Sequence, residues 1–240
     1  MMARRPKRSR PIEASDLAGY GSVANGTVNV DRAARGLGAS KTQVRQSIRQ
    51  AEAAQSNTFL RRISGRREAD SAEGTSMRGM LQAVFGRGPR GGAVNTRAAA
   101  QSLGVSPGTV RRWAAGTQQP SPSRLATIRQ AAKRVTTTKR GRQSATADFR
   151  RGAQGSQALR GGSKIWVSGE QGVGGYEQGY ARDRRVATDI SPSEIEAMLR
   201  AYEDGGDSAL RNWMRGFFDE KYVDGWDFVT IDDFGIGTPE

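Results

Sequence analysis

Apolar residues along this chain recur in short runs at three- and four-residue steps, with polar, glycine-rich stretches between the runs. The clearest run holds Ala99, Ala100, Leu103, Val105, Val110 and Trp113. It predicts two short helices around a tight turn. Ala100 is small enough for two helices to cross closely, and Gly104 suits the left-handed conformation that ends the first helix. Val110 is placed to plug the angle between the helices, with Leu103 and Val105 closing the small core. Ser106 is a good N-cap and Pro107 fits the first turn of the second helix. Gly116 ends that helix. The string Pro120-Ser121-Pro122-Ser123 then predicts a turn and a cap for a further helix over 124–135, with Leu125 and Ile128 inward.

A weaker copy lies 66 residues upstream, over 29–52. Ala33-Ala34 falls on Ala99-Ala100, Leu37-Gly38-Ala39-Ser40 on Leu103-Gly104-Val105-Ser106, and Val44-Arg45 on Val110-Arg111. Asp31 is the expected cap of its first helix, which Gly36 is expected to weaken.

The other runs are sparser. Phe59, Leu60 and Ile63 sit among arginines, and Met77, Met80, Leu81, Val84 and Phe85 form one helix face that Gly86, Gly88 and Pro89 end. Residues 137–162 are basic and polar with few apolar anchors, which predicts a linker. Beyond them, 164–168 reads as a strand ended by a glycine run. Ser191, Pro192 and Glu194 form a capping box before the stripe Ile195, Met198, Leu199 and Tyr202. A second helix is predicted over 208–218 and an alternating strand over 226–231. The expected fold is therefore mainly α: two helix-turn-helix units joined by flexible basic linkers to a small C-terminal α+β domain. Its divisions are a disordered basic arm (1–27), a first helix-turn-helix with a connector helix (28–92), the main helix-turn-helix domain (93–136), the linker (137–162) and an acidic α+β unit (163–240).

Charge sharpens this picture. The chain has 240 residues and a net charge of +14. Residues 1–188 carry +23 and residues 189–240 carry −9. A basic part of this kind points to a polyanion, and the asymmetry points to a separate acidic module. With no cysteine and no histidine, disulfides, Cys or His metal sites and imidazole-based mechanisms are excluded. No apolar run approaches a membrane span and the basic start lacks the core of a signal peptide, so the expected location is cytoplasmic and nucleoid-associated.

Candidate chemistry follows from the two helix pairs. Ser106, Thr109, Arg111 and Arg112 would face a DNA groove and its phosphates, as would Lys41, Gln43, Arg45 and Arg49 in the upstream copy. The glycine run 169–175 lacks the spacing and the Lys-Ser/Thr ending of a phosphate loop. Asp227, Asp232 and Asp233 read as an acidic surface before they read as a magnesium site. No nuclease, polymerase or ATPase motif is present, and no cofactor is implied.

Two resemblances add to this. Recognition helix, glycine, Pro-Ser turn and further helix resemble the repressor-like domains of the Xre and Cro type. The string Ile165-Trp166-Val167-Ser168-Gly169, then Arg182-Asp183-Arg184-Arg185, Ser191-Pro192 and Ala201-Tyr202-Glu203-Asp204-Gly205-Gly206-Asp207, resembles the telomere-protecting terminal proteins of linear actinobacterial replicons. So does the ending Phe217-Phe218-Asp219-Glu220-Lys221-Tyr222-Val223-Asp224-Gly225-Trp226. The likeness spans about 95–236, and the upstream helix-turn-helix goes beyond that layout. It implies a protein joined through a side-chain hydroxyl to a DNA 5′ end, priming telomere completion. Its partners would be double-stranded telomeric DNA, a DNA polymerase and a telomere-associated protein, with no membrane and with a homodimer left open. The chain would be a protein primer and not an enzyme. Candidate hydroxyls are Tyr180, Ser168, Tyr176 and Thr188, Tyr180 standing beside Arg182, Arg184 and Arg185. The alternative is a helix-turn-helix regulator of transcription or plasmid replication, and a third reading is an architectural protein of the nucleoid.

Overall fold

A computed structural model of the chain describes residues 10–71, 76–176 and 180–238. Among them the elements run α1 (Ala14–Ala18), α2 (Val30–Leu37), α3 (Lys41–Ser64), α4 (Met77–Phe85), α5 (Thr96–Leu103), α6 (Pro107–Ala115), α7 (Pro122–Thr137), α8 (Lys139–Arg151) and α9 (Ala153–Gly161). There follow β1 (Ser163–Val173), β2 (Arg182–Ile190), α10 (Pro192–Lys221), β3 (Trp226–Phe228) and β4 (Asp233–Ile236). The protein is mainly helical, with a small four-stranded antiparallel sheet toward its C-terminal end. No helix among the described residues is long and apolar enough to cross a membrane.

The chain divides into two compact units, and neither is a continuous segment. One takes residues 1–55, 164–190 and 210–240. Its sheet has the order β2-β1-β3, with β4 also on β1. Gln171 pairs with Phe228, and Ile165 with Ile236. Gly235 lies under the Trp166 ring, where any Cβ would collide. Within this unit the α2–α3 pair has its own small core of Leu17, Val23, Ala33, Ala34 and Val44. The N-terminal segment is stitched to the sheet region by Ala24 N–H donating to Val229 O (2.9 Å) and Ser22 Oγ–H donating to Phe228 O (2.8 Å).

The described part of the expected basic arm is therefore ordered. Residues 10–27 carry α1 and bury Leu17, Ala18, Val23 and Ala24. Residues 1–9 lie outside the described residues. The apolar anchors are too few and too irregular to show a period, and their partners come from distant segments.

The second unit takes residues 56–163 and 191–209. Leu60, Met80, Leu81, Val110, Trp113, Ile128 and Val135 form its core, with α4 packed on α7 and α7 on α8. The stretch expected as a linker is helical here. Thr138 caps α8, and Arg142, Ala145 and Thr146 face inward. Glycines taken for flexibility are close contacts: a Cβ on Gly141 would strike the Arg134 carbonyl, and one on Gly155 the Phe149 carbonyl. Ionic partners replace apolar ones. Arg150 holds Glu196 (Nη2 to Oε2 2.8 Å) and Glu203 (Nη1 to Oε1 2.6 Å). The guanidinium of Arg66, almost wholly buried, pairs with Asp148 at 2.8 Å. Helix-period hydrophobicity cannot reveal a helix that packs through arginine and glycine.

The acidic segment departs from expectation in three places. Its two predicted helices are both present within the span α10, separated at Gly206, whose backbone is not helical (φ 67°, ψ −148°). Buried Arg142 caps the break, donating to the carbonyls of Glu203 (3.0 Å), Asp204 (3.0 Å) and Thr136 (2.9 Å). β1 runs on through the glycine run to Val173, where the sequence predicted an end. Residues 182–190, for which the sequence predicted no element, form strand β2. The last strand stops at Phe228, and β4 follows it. The glycines of the run are admitted to the sheet because a neighbouring backbone approaches closely, Thr230 at Gly169 and Tyr180 at Gly172.

Candidate nucleic-acid interface

The helix pair α5–α6 is built as its sequence implies. Asn95 caps α5, its side chain accepting from Ala98 N–H (3.2 Å). Gly104 takes the left-handed conformation (φ 63°). The Val105 N–H then reaches back to Ala100 O (3.1 Å), satisfying a terminal carbonyl. Ser106 caps α6 through Thr109 N–H (3.1 Å), Pro107 holds its first turn, and Gly116 (φ 74°) ends it. Val110 is wholly buried in the angle. Burying a valine contributes about 1.5–3 kcal/mol, so this one wedge is a large share of a small core.

Around the start of α6 lies a broad depression of about 1410 Å³. Arg78, Arg87, Arg97 and Arg111 line it together with the Pro107-Gly108 turn, and no carboxylate does. All four arginines are exposed. Arg78 makes contacts within the unit, to Ala114 O (3.2 Å) and Glu68 (3.5 Å). Of the predicted contact residues, Arg111 lies in this depression, while Arg112 is braced beside it, donating to Gln118 Oε1 (2.8 Å) and Thr109 Oγ1 (3.2 Å). Thr109 and Ser106 share a hydrogen bond (3.0 Å) and serve the cap. Sequence reasoning missed Arg78, Arg87 and Arg97. Arg97 was within reach, because it falls on Asp31 at the 66-residue shift. The other two come from the ends of α4, and only the packing of α4 brings them here.

The upstream pair has the same frame. Gly38 is left-handed (φ 64°), Ala39 N–H donates to Ala34 O (3.0 Å), and Val44 is wholly buried. Asn29 is the cap, accepting from Arg32 N–H (2.9 Å), which corrects the expectation for Asp31. The carboxylate of Asp31 instead pairs with Lys41 (2.9 Å), whose ammonium holds it below the usual carboxylate range. Gly36 does not weaken α2 idly: the Tyr20 hydroxyl and ring occupy the space a Cβ would need. Gln43 folds back to accept from Ser40 N–H and Oγ–H (both 2.9 Å), a capping-box arrangement. Arg45 and Arg49 stay exposed on α3.

The candidate hydroxyls are spread along the β1–β2 hairpin and do not converge. Ser168 Oγ accepts from Arg185 Nε (2.9 Å). Tyr176 donates to Gly19 O (3.3 Å) and accepts from Arg32 Nη1 (3.0 Å). Thr188 is half-buried in β2. Tyr180 is 62% exposed and lines a shallow pocket of about 360 Å³ with Arg182, Arg184 and Trp226. Strand alternation sends Arg185 the other way, over the Trp166 ring at 4.8 Å, so two of the three expected arginines share Tyr180's surface.

Asp227 accepts from Asn25 Nδ2 through both oxygens (3.1 Å), and Asp233 accepts from Phe234 N–H (2.9 Å). Burial, then the nearby Asp183, pushes the Glu170 carboxyl above its ordinary value; burial does the same to Asp232. No group of three metal-ligating side chains occurs among the described residues. Comparison with known proteins finds no match: no family model, no curated protein and no solved structure matches the chain.

Proposed function

We propose that this protein binds double-stranded DNA through a helix-turn-helix formed by α5 and α6, and that it acts as a terminal protein at the ends of linear DNA. The observation that carries the first half is the acid-free depression of Arg78, Arg87, Arg97 and Arg111 at the capped start of α6. An α-helix fits the major groove, and flanking arginines suit the phosphates on either side. In this reading α6 enters the groove with Arg111 toward the bases, and the α2–α3 pair adds a second, weaker contact through Arg45 and Arg49.

The second half rests on the resemblance of 95–236 together with the setting of Tyr180. Of the four hydroxyls it is the one both exposed and flanked by two arginines on a shared pocket. The phenol oxygen attacks the α-phosphorus of a nucleoside triphosphate, forming a phosphodiester and releasing pyrophosphate, while the phenol proton passes to solvent. A partner polymerase supplies the remaining apparatus. The test uses the full chain with polymerase, a DNA-end template and labelled nucleotide. Label that survives boiling in detergent is expected for the wild type and is lost in Tyr180→Phe. Sequence-selective duplex binding with no adduct on any template would leave the regulator reading in its place.

A further inference from the structure

Among the described residues, the large hydrophobic side chains left exposed are Tyr180, Tyr222 (41%) and Val223 (42%), and Trp226 connects the surroundings of the two rings. Tyr222 stands edge-on to Trp226, ring centroids 4.8 Å apart. Trp226 N–H donates to Val223 O (3.1 Å). Trp226 also lines the pocket that holds Tyr180, and the Arg184 guanidinium lies over its ring at 5.6 Å. Trp226 is itself buried and anchored, its Nε1–H donating to Gln171 Oε1 (3.3 Å). Trp226 is therefore a fixed ring shared by two features: the pocket of Tyr180, Arg182 and Arg184, and exposed Tyr222 packed against its edge.

Such a surface is poorly explained as core. Exposed aromatic rings interleaved with guanidinium groups suit bases that stack and phosphates that pair, which is the chemistry of an unpaired strand. A duplex hides its base faces and offers nothing to stack. The pocket, about 360 Å³, falls at the small end of the range of about 300–1,000 Å³ for ligand sites, the scale of a single base and its sugar.

We infer that the surface formed by Tyr180, Tyr222, Trp226, Arg182 and Arg184 is a binding site for single-stranded nucleic acid, separate from the duplex-binding α6. One unpaired base stacks on Tyr180 and a neighbour on Tyr222. Arg182 and Arg184 take the intervening phosphates. This inference needs no covalent step and stands whether or not Tyr180 is the priming hydroxyl.

The test is fluorescence anisotropy of the full chain with a labelled oligothymidylate and, separately, a labelled duplex. Tyr222→Ala and Tyr180→Ala are each expected to weaken oligothymidylate binding at least about fivefold while leaving duplex affinity unchanged, since stacking contributes about 1–3 kcal/mol per base. Tyr180→Phe keeps the ring and retains single-strand binding, although it removes the hydroxyl the priming reading needs. Arg111→Ala is expected to show the reverse pattern, losing duplex and keeping single strand. Circular dichroism of each variant checks that it is folded. The proposal is overturned if the wild type binds no oligothymidylate, or if folded Tyr180→Ala and Tyr222→Ala bind it as the wild type does. Parallel losses on duplex would also overturn it, because the patch would then belong to the duplex site or to a protein contact.

Discussion

The two helix pairs share a frame and differ in what they expose. Asn29 and Asn95, Gly38 and Gly104, Ser40 and Ser106, and Val44 and Val110 occupy matching positions; the two caps and the two glycines have nearly the same backbone angles, and both valines are wholly buried. Their outer faces diverge in charge at several positions, Asp31 against Arg97 among them. Where the upstream pair has Asp31 neutralising Lys41, the downstream pair has Arg97 opening an arginine-lined depression. Their surroundings diverge as well. Beside the upstream turn lies a groove of about 680 Å³ lined by Gln43, Gln46 and Gln50, with Arg10, Pro11 and Ile12 along it. The same turn can thus be kept for its packing while its surface is retuned, because the wedge valine is buried and the glycine is fixed by its left-handed backbone, whereas the charges are exposed.

The strongest break aims at the shared frame. Val44→Asp and Val110→Asp each bury an unpaired carboxylate, and each is expected to destabilise its unit by about 3–5 kcal/mol. Thermal unfolding followed by circular dichroism measures this, and a mild effect at Val44 alone would mean that the upstream frame does not rest on its wedge. Arg111→Ala is expected to weaken duplex binding by about 1–3 kcal/mol. Arg45→Ala should cost clearly less, and equal losses in titrations at fixed salt would erase the proposed ranking of the two pairs. Asn29→Ala and Asn95→Ala should each cost about 1 kcal/mol of stability through the lost cap. A silent Asn29 would mean that Asp31 can take over the role first expected of it.

The smallest effect sharpens the charge difference. Asp31→Asn frees Lys41, and the salt dependence of duplex binding should steepen by about one phosphate contact if α3 meets DNA. The pair also has a pH signature. Lys41 depresses the Asp31 carboxyl in the folded state, so its contribution is present above the unfolded carboxylate range and is lost as pH falls through the depressed value. An unchanged slope in Asp31→Asn would place α3 away from the duplex.

Much of the molecule was legible in advance for local reasons. Gly104, Ser106, Pro107 and Gly116 punctuate α6 through backbone preferences that act within a few residues, and Ser191 with Glu194 does the same for α10. The α8–α9 stretch was not legible, because Arg142, Arg150, Gly141 and Gly155 look solvated in isolation and become packing groups only against particular carbonyls and carboxylates. Of the candidate interface, Arg111 could be read directly. Arg78 and Arg87 could not, since nothing in their neighbourhood along the chain marks them. The separation of Arg185 from Tyr180 needed β2, whose strand character is masked by its charges.

By itself the sequence determined the turns, the caps, the repeated wedge and the division of charge, all of which depend on steric and hydrogen-bonding preferences acting over one or two helical turns. Tertiary structure alone decided that residues 1–55 share a unit with the sheet, that a basic spacer becomes two helices, and which arginines and aromatic rings meet. Those outcomes depend on groups far apart along the chain, and a burial partner is named by no residue on its own.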